Sequence, residues 1–243
     1  YDTPDDHVFD LLQSAMFAGQ SLGRPILGTK QSLKPVTPNA LRAFAETLYA
    51  PHQIVVCVSG GVVPEEVYAA LKPRVENVAS HAGFGKPAQM RFTTERHVQK
   101  RKIEQANLTI GYEGVSRLSN DIIPLRLFSE ILGGGMASRL FQEAREARGL
   151  AYSIDAFTTP YRDGGIFGVY AGCAAKDIEP LIELIQKVLG ELSSNPLAAE
   201  LERAKAQFMT SLFLNHEGAA SRCGTFASQL STFGKVFTLD EVA

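Results

Sequence analysis

The segment from Asp177 to Leu192 constrains the fold more than any other. Ile178, Leu181, Ile182, Ile185, Val188, Leu189 and Leu192 recur at helical spacing and form one apolar stripe. Such a stripe is stable only against a second apolar layer. The chain offers one just upstream. AYSIDAF (151–157) and GGIFGVYAGC (164–173) read as two strands joined by TTPYRDGG, a hairpin with a longer loop. NLTIGYEG (107–114) adds a half-buried strand, because Leu108, Ile110 and Tyr112 alternate with polar or small residues. DIIPLRLFSEILGGG (121–135) is an apolar helix with Pro124 near its start, and SRLFQEAREARG (138–149) is the second helix of a pair. Two further helices follow at 197–215 and 218–234. The order β-α-α-β-β-α-α-α is that of an α+β layer fold, helices banked on one face of the sheet.

The first hundred residues are less regular. Val8, Phe9, Leu11, Leu12, Ala15 and Met16 give a helix led by Asp5 and Asp6. Residues 20–36 read as a long irregular loop with two prolines and two glycines. Thr37-Pro38 is a cap followed by proline at the first helical position, so a helix should run to about Tyr49. QIVVCVSGG (53–61) reads as a buried strand ended by glycines, and Pro64 opens a helix to about Asn77. A lone strand cannot satisfy its backbone. Gln53–Ser59 is therefore expected to join the sheet of residues 101–173 or that of a neighbouring chain, or else its own strand neighbours lay upstream of Tyr1. Residues 80–100 are polar, lack periodicity and read as a linker.

Composition excludes several function classes. Hydrophobic residues make up 45% of the 243 positions, enough for a sizeable core. The net charge of −2 argues against non-specific nucleic-acid binding, which needs a basic excess. No run of about 18 apolar residues suits a membrane span, and no leader pattern opens the sequence. Cys57, Cys173 and Cys223 are scattered and form no CxxC pair, so buried thiols are expected rather than a cysteine zinc site.

GGGMASRLFQEAREARGLAY (133–152) carries the candidate site. Glycine costs about 1 kcal/mol per helical position relative to alanine, so Gly133, Gly134 and Gly135 mark a break that permits close backbone approach or a hinge. Helical phase puts Leu140, Phe141, Ala144 and Ala147 on one arc, with Arg145 on its flank and Arg148 inside its edge. Gly149 suits the left-handed residue that closes a helix. Tyr152 then lies on the following strand, so Arg145 and Tyr152 can face one crevice. On spacing alone the plainer reading stays open: solvated C-terminal cations and a core tyrosine.

LGGGMASRLFQEAREARGLAYSIDAF (132–157) resembles the signature of the M16 metallopeptidases, the pitrilysin and mitochondrial-processing-peptidase group. DTPDDHVFDLL, SLGRPILGT and PNALRAFAETLYAPHQIVVCVSGGV are similar to the same family, in its order. The resemblance implies a LuxS/MPP-like metallohydrolase fold, with sheets covered by helices on one side. It implies that residues 1–79 are the rear of a first domain and 101–243 a second, non-zinc domain lacking its last strand. The family's zinc site is His-x-x-Glu-His plus a distant glutamate. The five histidines, His7, His52, His81, His97 and His216, include no two at that spacing. Tyr1 would then stand just downstream of the zinc site.

By resemblance, Arg145 and Tyr152 bind the scissile carbonyl or substrate backbone, Gly133–Gly135 let a peptide pass close, and the edge at Ala151–Phe157 can pair with an extended substrate. The implied function is the substrate-binding, non-zinc portion of a zinc metalloendopeptidase, the chain alone being inactive even when given zinc. Its partners would be peptide or unfolded protein and a separate zinc domain or catalytic subunit, with homo- or hetero-oligomers open. Two other readings remain: a non-catalytic M16-like subunit that binds peptide or scaffolds a partner, and a generic α+β interaction module.

Overall fold

The computed structural model describes residues 3–50, 53–76 and 88–242. In chain order its regular elements are α1 (Pro4–Met16), α2 (Lys30–Leu33), α3 (Pro38–Leu48), α4 (Pro64–Val75), β1 (Ala106–Gly114), α5 (Ile122–Gly133), a π-helix (Phe141–Glu146), β2 (Ser153–Pro160), β3 (Gly165–Cys173), α6 (Ile178–Ser194), α7 (Ala198–Glu217), α8 (Ala219–Phe233) and α9 (Leu239–Val242). They fall into two compact units. One comprises residues 1–27 and 89–208, the other 28–88 and 209–243.

The first unit is built on an antiparallel sheet of order β1-β3-β2. The hairpin forms as read, with Ser153 opposite Gly172 and Pro160 opposite Gly165. β1 closes the other side of β3, Ala106 opposite Cys173. The two-residue period of a strand sends Phe167, Val169, Ala171 and Cys173 of β3 to one face. There they meet Ile131 and Leu132 of α5 and Leu181, Leu184, Ile185, Val188 and Leu192 of α6. Leu184 lies outside the stripe read from the sequence, whereas Ile182 is only half-buried.

The opposite face is also covered. Met16 and Phe17, at the end of α1, pack with Ile166, Leu22, Met90 and Phe92. Phe9 stacks on Tyr170 at 5.5 Å between ring centres and meets Phe157 edge-on at 5.3 Å. Phe17 is fully buried, a contribution of roughly 2–3 kcal/mol. Gly111 of β1 leaves room for the ends of the Met16 and Leu12 side chains, which a Cβ there would push aside. Of the expected linker, residues 80–87 lie outside the described residues, and 88–100 form neither helix nor strand. Thr93 ties that stretch to the end of α1: its N–H donates to Met16 O at 2.8 Å and its hydroxyl to Ala15 O at 2.6 Å.

The second unit begins as the sequence indicates. The Thr37 hydroxyl accepts from Ala40 N–H at 3.2 Å and caps α3. The loop at 20–36 contains two short helical turns, Ser21–Gly23 and α2. Residues 54–59 depart from expectation. They form no strand, and Ile54, Val55, Val56 and Val58 are exposed. β3 already has a neighbour on each side, so the sheet has no interior place for them. Apolar patterning marks a segment that suits a sheet without supplying its partner. Side chains of α8 serve the segment instead: Cys223 Sγ donates to Cys57 O at 2.8 Å, and Arg222 Nε to Ser59 Oγ at 3.3 Å.

Gly190 stands inside α6 with no atom within 4 Å of the Cβ it lacks. Gly190→Ala is expected to stabilise the protein by about 0.5–1 kcal/mol, through the helical cost of glycine and a narrower unfolded ensemble. Thermal melts should show a rise of roughly 1–4 °C; a fall would mean that the helix is not continuous there.

Candidate functional site

The three glycines between α5 and the π-helix answer to three different surroundings. A Cβ on Gly133 would overlap the backbone nitrogen of Ala156, so its bareness lets α5 lie directly on β2. A Cβ on Gly134 would strike the Glu130 carboxylate. Gly135 has φ +136° and nothing within 4 Å of its missing side chain. Of the triplet, Gly135 faces open space.

The loop after the triplet is held by side chains. Ser138 Oγ donates to Gly135 O at 2.6 Å, Gln142 Nε2 to Met136 O at 2.6 Å and Arg203 Nη2 to Ala137 O at 3.0 Å. Arg139 grips Glu200 with both arms of its fork, Nε to Oε1 at 2.8 Å and Nη2 to Oε2 at 2.6 Å. Its Nη2 also donates to Asn195 O at 3.1 Å. The side chains of the pair are 18% and 13% exposed, so water screens it little. The hydrogen bond from Arg139 holds the Glu200 carboxyl below its usual range, and Leu197 N–H adds to the effect. Glu130, on α5, is pushed the other way by burial. The Arg139–Glu200 pair was not visible in the sequence, because its members stand 61 positions apart. The available signal was Glu200 in the first turn of α7, where a carboxylate is favoured.

Residues 141–146 are a π-helix, not the α-helix expected. Ala147 N–H reaches back five residues to Gln142 O at 2.9 Å, and Leu150 N–H reaches Ala144 O at 2.7 Å. The wider turn shifts the phase of the residues after it. Leu140 and Ala144 are buried as read, but Phe141 is half-buried and Ala147 exposed. Gly149 closes the helix at φ +62°, the left-handed conformation anticipated.

The Arg145 guanidinium lies 4.8 Å from the centre of the Phe141 ring and its side chain is 47% exposed. Its Nε stands 3.9 Å from Glu146 Oε1. Arg148 pairs with Glu143 at 3.4 Å instead of entering the apolar arc. Tyr152 comes after the Gly149 turn and is 60% exposed, its backbone N–H donating to Gly172 O at 2.8 Å. Among the described residues nothing hydrogen-bonds the Tyr152 hydroxyl. Both polar ends therefore reach solvent, from either side of one turn. Among the described residues β2, which begins at Ser153, is an edge strand, with backbone groups along one side free of β-ladder partners.

A guanidinium, a phenol and an open strand edge are donors and acceptors for an extended polypeptide. None of them belongs to the Cys, His, Asp and Glu set that binds zinc. Among the described residues no group of three His, Cys, Asp or Glu side chains is placed to hold a metal ion, and the sequence contains no His-x-x-Glu-His. The described residues do not fit zinc.

Residues 35–208 match the family described as Peptidase M16 inactive domain. The chain belongs to the M16 peptidase family. A protein of Bacillus subtilis (strain 168) named as an uncharacterized zinc protease, YmxG, is 35% identical over 244 residues, covering 99% of this chain and 59% of its own. An uncharacterized zinc protease of Streptomyces coelicolor is 32% identical over 253 residues, covering 99% of this chain and 54% of its own. The M16 chain thus spans 54–59% of the length of these two relatives. Its fold is similar to the crystal structure of the peptidase M16 inactive domain from Pseudomonas fluorescens, with a TM-score of 0.84 at 22% identity over 99% of this chain and 57% of that one. The α+β fold implied by the M16 resemblance is the fold observed.

Proposed function

We propose that this M16 chain is the substrate-binding portion of a zinc endopeptidase, holding an extended peptide while the metal is carried by another part of the protein or by a partner subunit. The observation that carries this reading is the joint exposure of Arg145 and Tyr152 on the two sides of the Gly149 turn, beside the open edge of β2. The peptide backbone lies along β2. Arg145 and Tyr152 donate hydrogen bonds to its carbonyl oxygens, including the one on which negative charge develops during hydrolysis. Stacking on Phe141 gives the guanidinium a defined direction. Gly135 offers the open face of the glycine triplet to the peptide, while Gly133 and Gly134 keep the loop tight against α5 and β2. The names of the relatives support zinc chemistry in a longer protein. On this reading residues 1–79 and 101–243 derive from two consecutive M16-type domains.

The test is fluorescence anisotropy with a labelled, unstructured peptide and the 243-residue chain. Arg145→Gln removes a charged donor and should weaken binding roughly 10–100-fold; Tyr152→Phe removes a neutral one and should weaken it about 2–10-fold. Both side chains are exposed, so melting temperatures should stay within about 1 °C of the parent chain. Peptide affinity unchanged in both variants would overturn the assignment.

A further inference from the structure

Three cysteines are free in this chain, and they do not share one environment. Cys173 is completely buried at the end of β3. Burial, aided by the charge of Asp177, pushes its thiol above the usual range and leaves it inert. Cys57 and Cys223 are each half-buried, contrary to the expectation that all three thiols would be interior. Both belong to the second compact unit. They stand 166 positions apart in sequence, yet Cys223 Sγ lies 2.8 Å from Cys57 O.

That contact bounds the geometry. A carbonyl oxygen lies about 2.4 Å from its own Cα, so Cys223 Sγ sits within about 5.2 Å of the Cα of Cys57. Disulfide-bonded cysteines have Cα atoms about 4.4–6.8 Å apart. Sγ of a cysteine lies about 2.8 Å from its own Cα, so the two Cα atoms are at most about 8 Å apart, a span that includes the bridging range. Closure needs side-chain rotation and, towards that upper bound, a backbone shift of roughly 1 Å. The surroundings permit both. Residues 54–59 belong to no strand ladder, and no atom lies within 4 Å of the Cβ positions of Gly60, Gly61 or Gly224. Arg222, beside Cys223, donates to Ser59 Oγ at 3.3 Å and holds the register of α8 against the segment that carries Cys57.

We propose that Cys57 and Cys223 form a site of reversible oxidation that closes as an intrachain disulfide on exposure to a low-molecular-weight disulfide such as oxidised glutathione. One protein thiolate attacks a sulfur of the oxidant, forms a mixed disulfide and releases one glutathione thiolate. The second protein thiolate attacks the protein sulfur of that mixed disulfide and releases the other. The protein loses two protons and two electrons, and one oxidised glutathione becomes two reduced molecules. The product ties α8 to residues 53–59. This inference is independent of peptide binding.

The experiment treats the native 243-residue chain with oxidised glutathione, quenches by alkylation, and counts thiols after denaturation. Titratable thiols should fall from three to one, with Cys173 the survivor. Peptide mapping should find Cys57 linked to Cys223. A non-reducing denaturing gel should show a faster monomer band, because the closed loop compacts the unfolded chain, and dithiothreitol should restore the slower one. Cys57→Ser and Cys223→Ser should each abolish the fast band. Three thiols persisting after oxidation would overturn the proposal. So would glutathione adducts resting on both cysteines without a cross-link, a link through Cys173, or a fast band surviving in either variant.

Discussion

Gly133→Ala is expected to destabilise the protein by about 3 kcal/mol, although it adds a single methyl group. The added carbon would overlap the backbone nitrogen and Cβ of Ala156. Rotamer change offers no relief, because both the new atom and its obstacle are fixed to backbone. α5 would have to lift from β2, loosening Ile131 and Leu132 from the core they share with Ile154 and Val169. Calorimetry should show a fall in Tm of roughly 6–12 °C. Gly190→Ala provides the contrast, the same methyl group added where space is open. If Gly133→Ala melted with the parent chain, the close approach of α5 to β2 would be wrong.

Glu200→Gln is expected to cost about 2–3 kcal/mol at pH 7, because it leaves the largely buried Arg139 guanidinium facing a neutral amide. The effect should depend on pH in a defined direction. Arg139 holds the Glu200 carboxyl below the ordinary glutamate value of 4.5 in the folded chain. A depressed folded value contributes stability that is present above the unfolded value and is lost as pH falls through the folded one. The gap between parent and variant in urea denaturation should thus be widest near neutrality and should narrow below about pH 4. Glu130 acts in the opposite sense. Burial raises its carboxyl above 4.5, so its contribution is fullest at acid pH and is lost as pH rises through the folded value. A gap between parent and Glu200→Gln that widened with acid would contradict the assigned pair.

The sequence disclosed the features that are decided locally. Thr37-Pro38 announces α3 because cap and first turn are adjacent in the chain. The apolar runs at 151–157 and 164–173 announce a hairpin because the turn lies between them. Gly149 announces its left-handed conformation because few other residues adopt it. The features that stayed hidden depend on distant neighbours. The π-helix arises where Leu150 must reach Ala144 while the chain turns towards β2, and helical phase alone cannot foresee an inserted residue. The cradle of Arg139, Glu200 and Arg203 around the glycine loop joins segments some sixty positions apart. The segment 54–59 has the composition of an interior strand, but composition carries no information about which neighbour is present. At the candidate site, the positions of Arg145 and Tyr152 relative to the Gly149 turn were legible. The stacking of Arg145 on Phe141 was not, because it results from the π-turn.

The unpaired rim of β2 has a consequence for solubility. A naked strand margin recruits any chain with a matching one, including another copy of the same protein. Asp155, the third of eight residues in this strand, stands exposed, and Pro160 ends it without an N–H to offer. Two copies pairing antiparallel in the register that sets Asp155 opposite Asp155 would bring the two carboxylates together, like charges directly across a ladder. A single extended guest without an acid at the matching position escapes that repulsion. In that register the charge of Asp155 works against self-association through this margin.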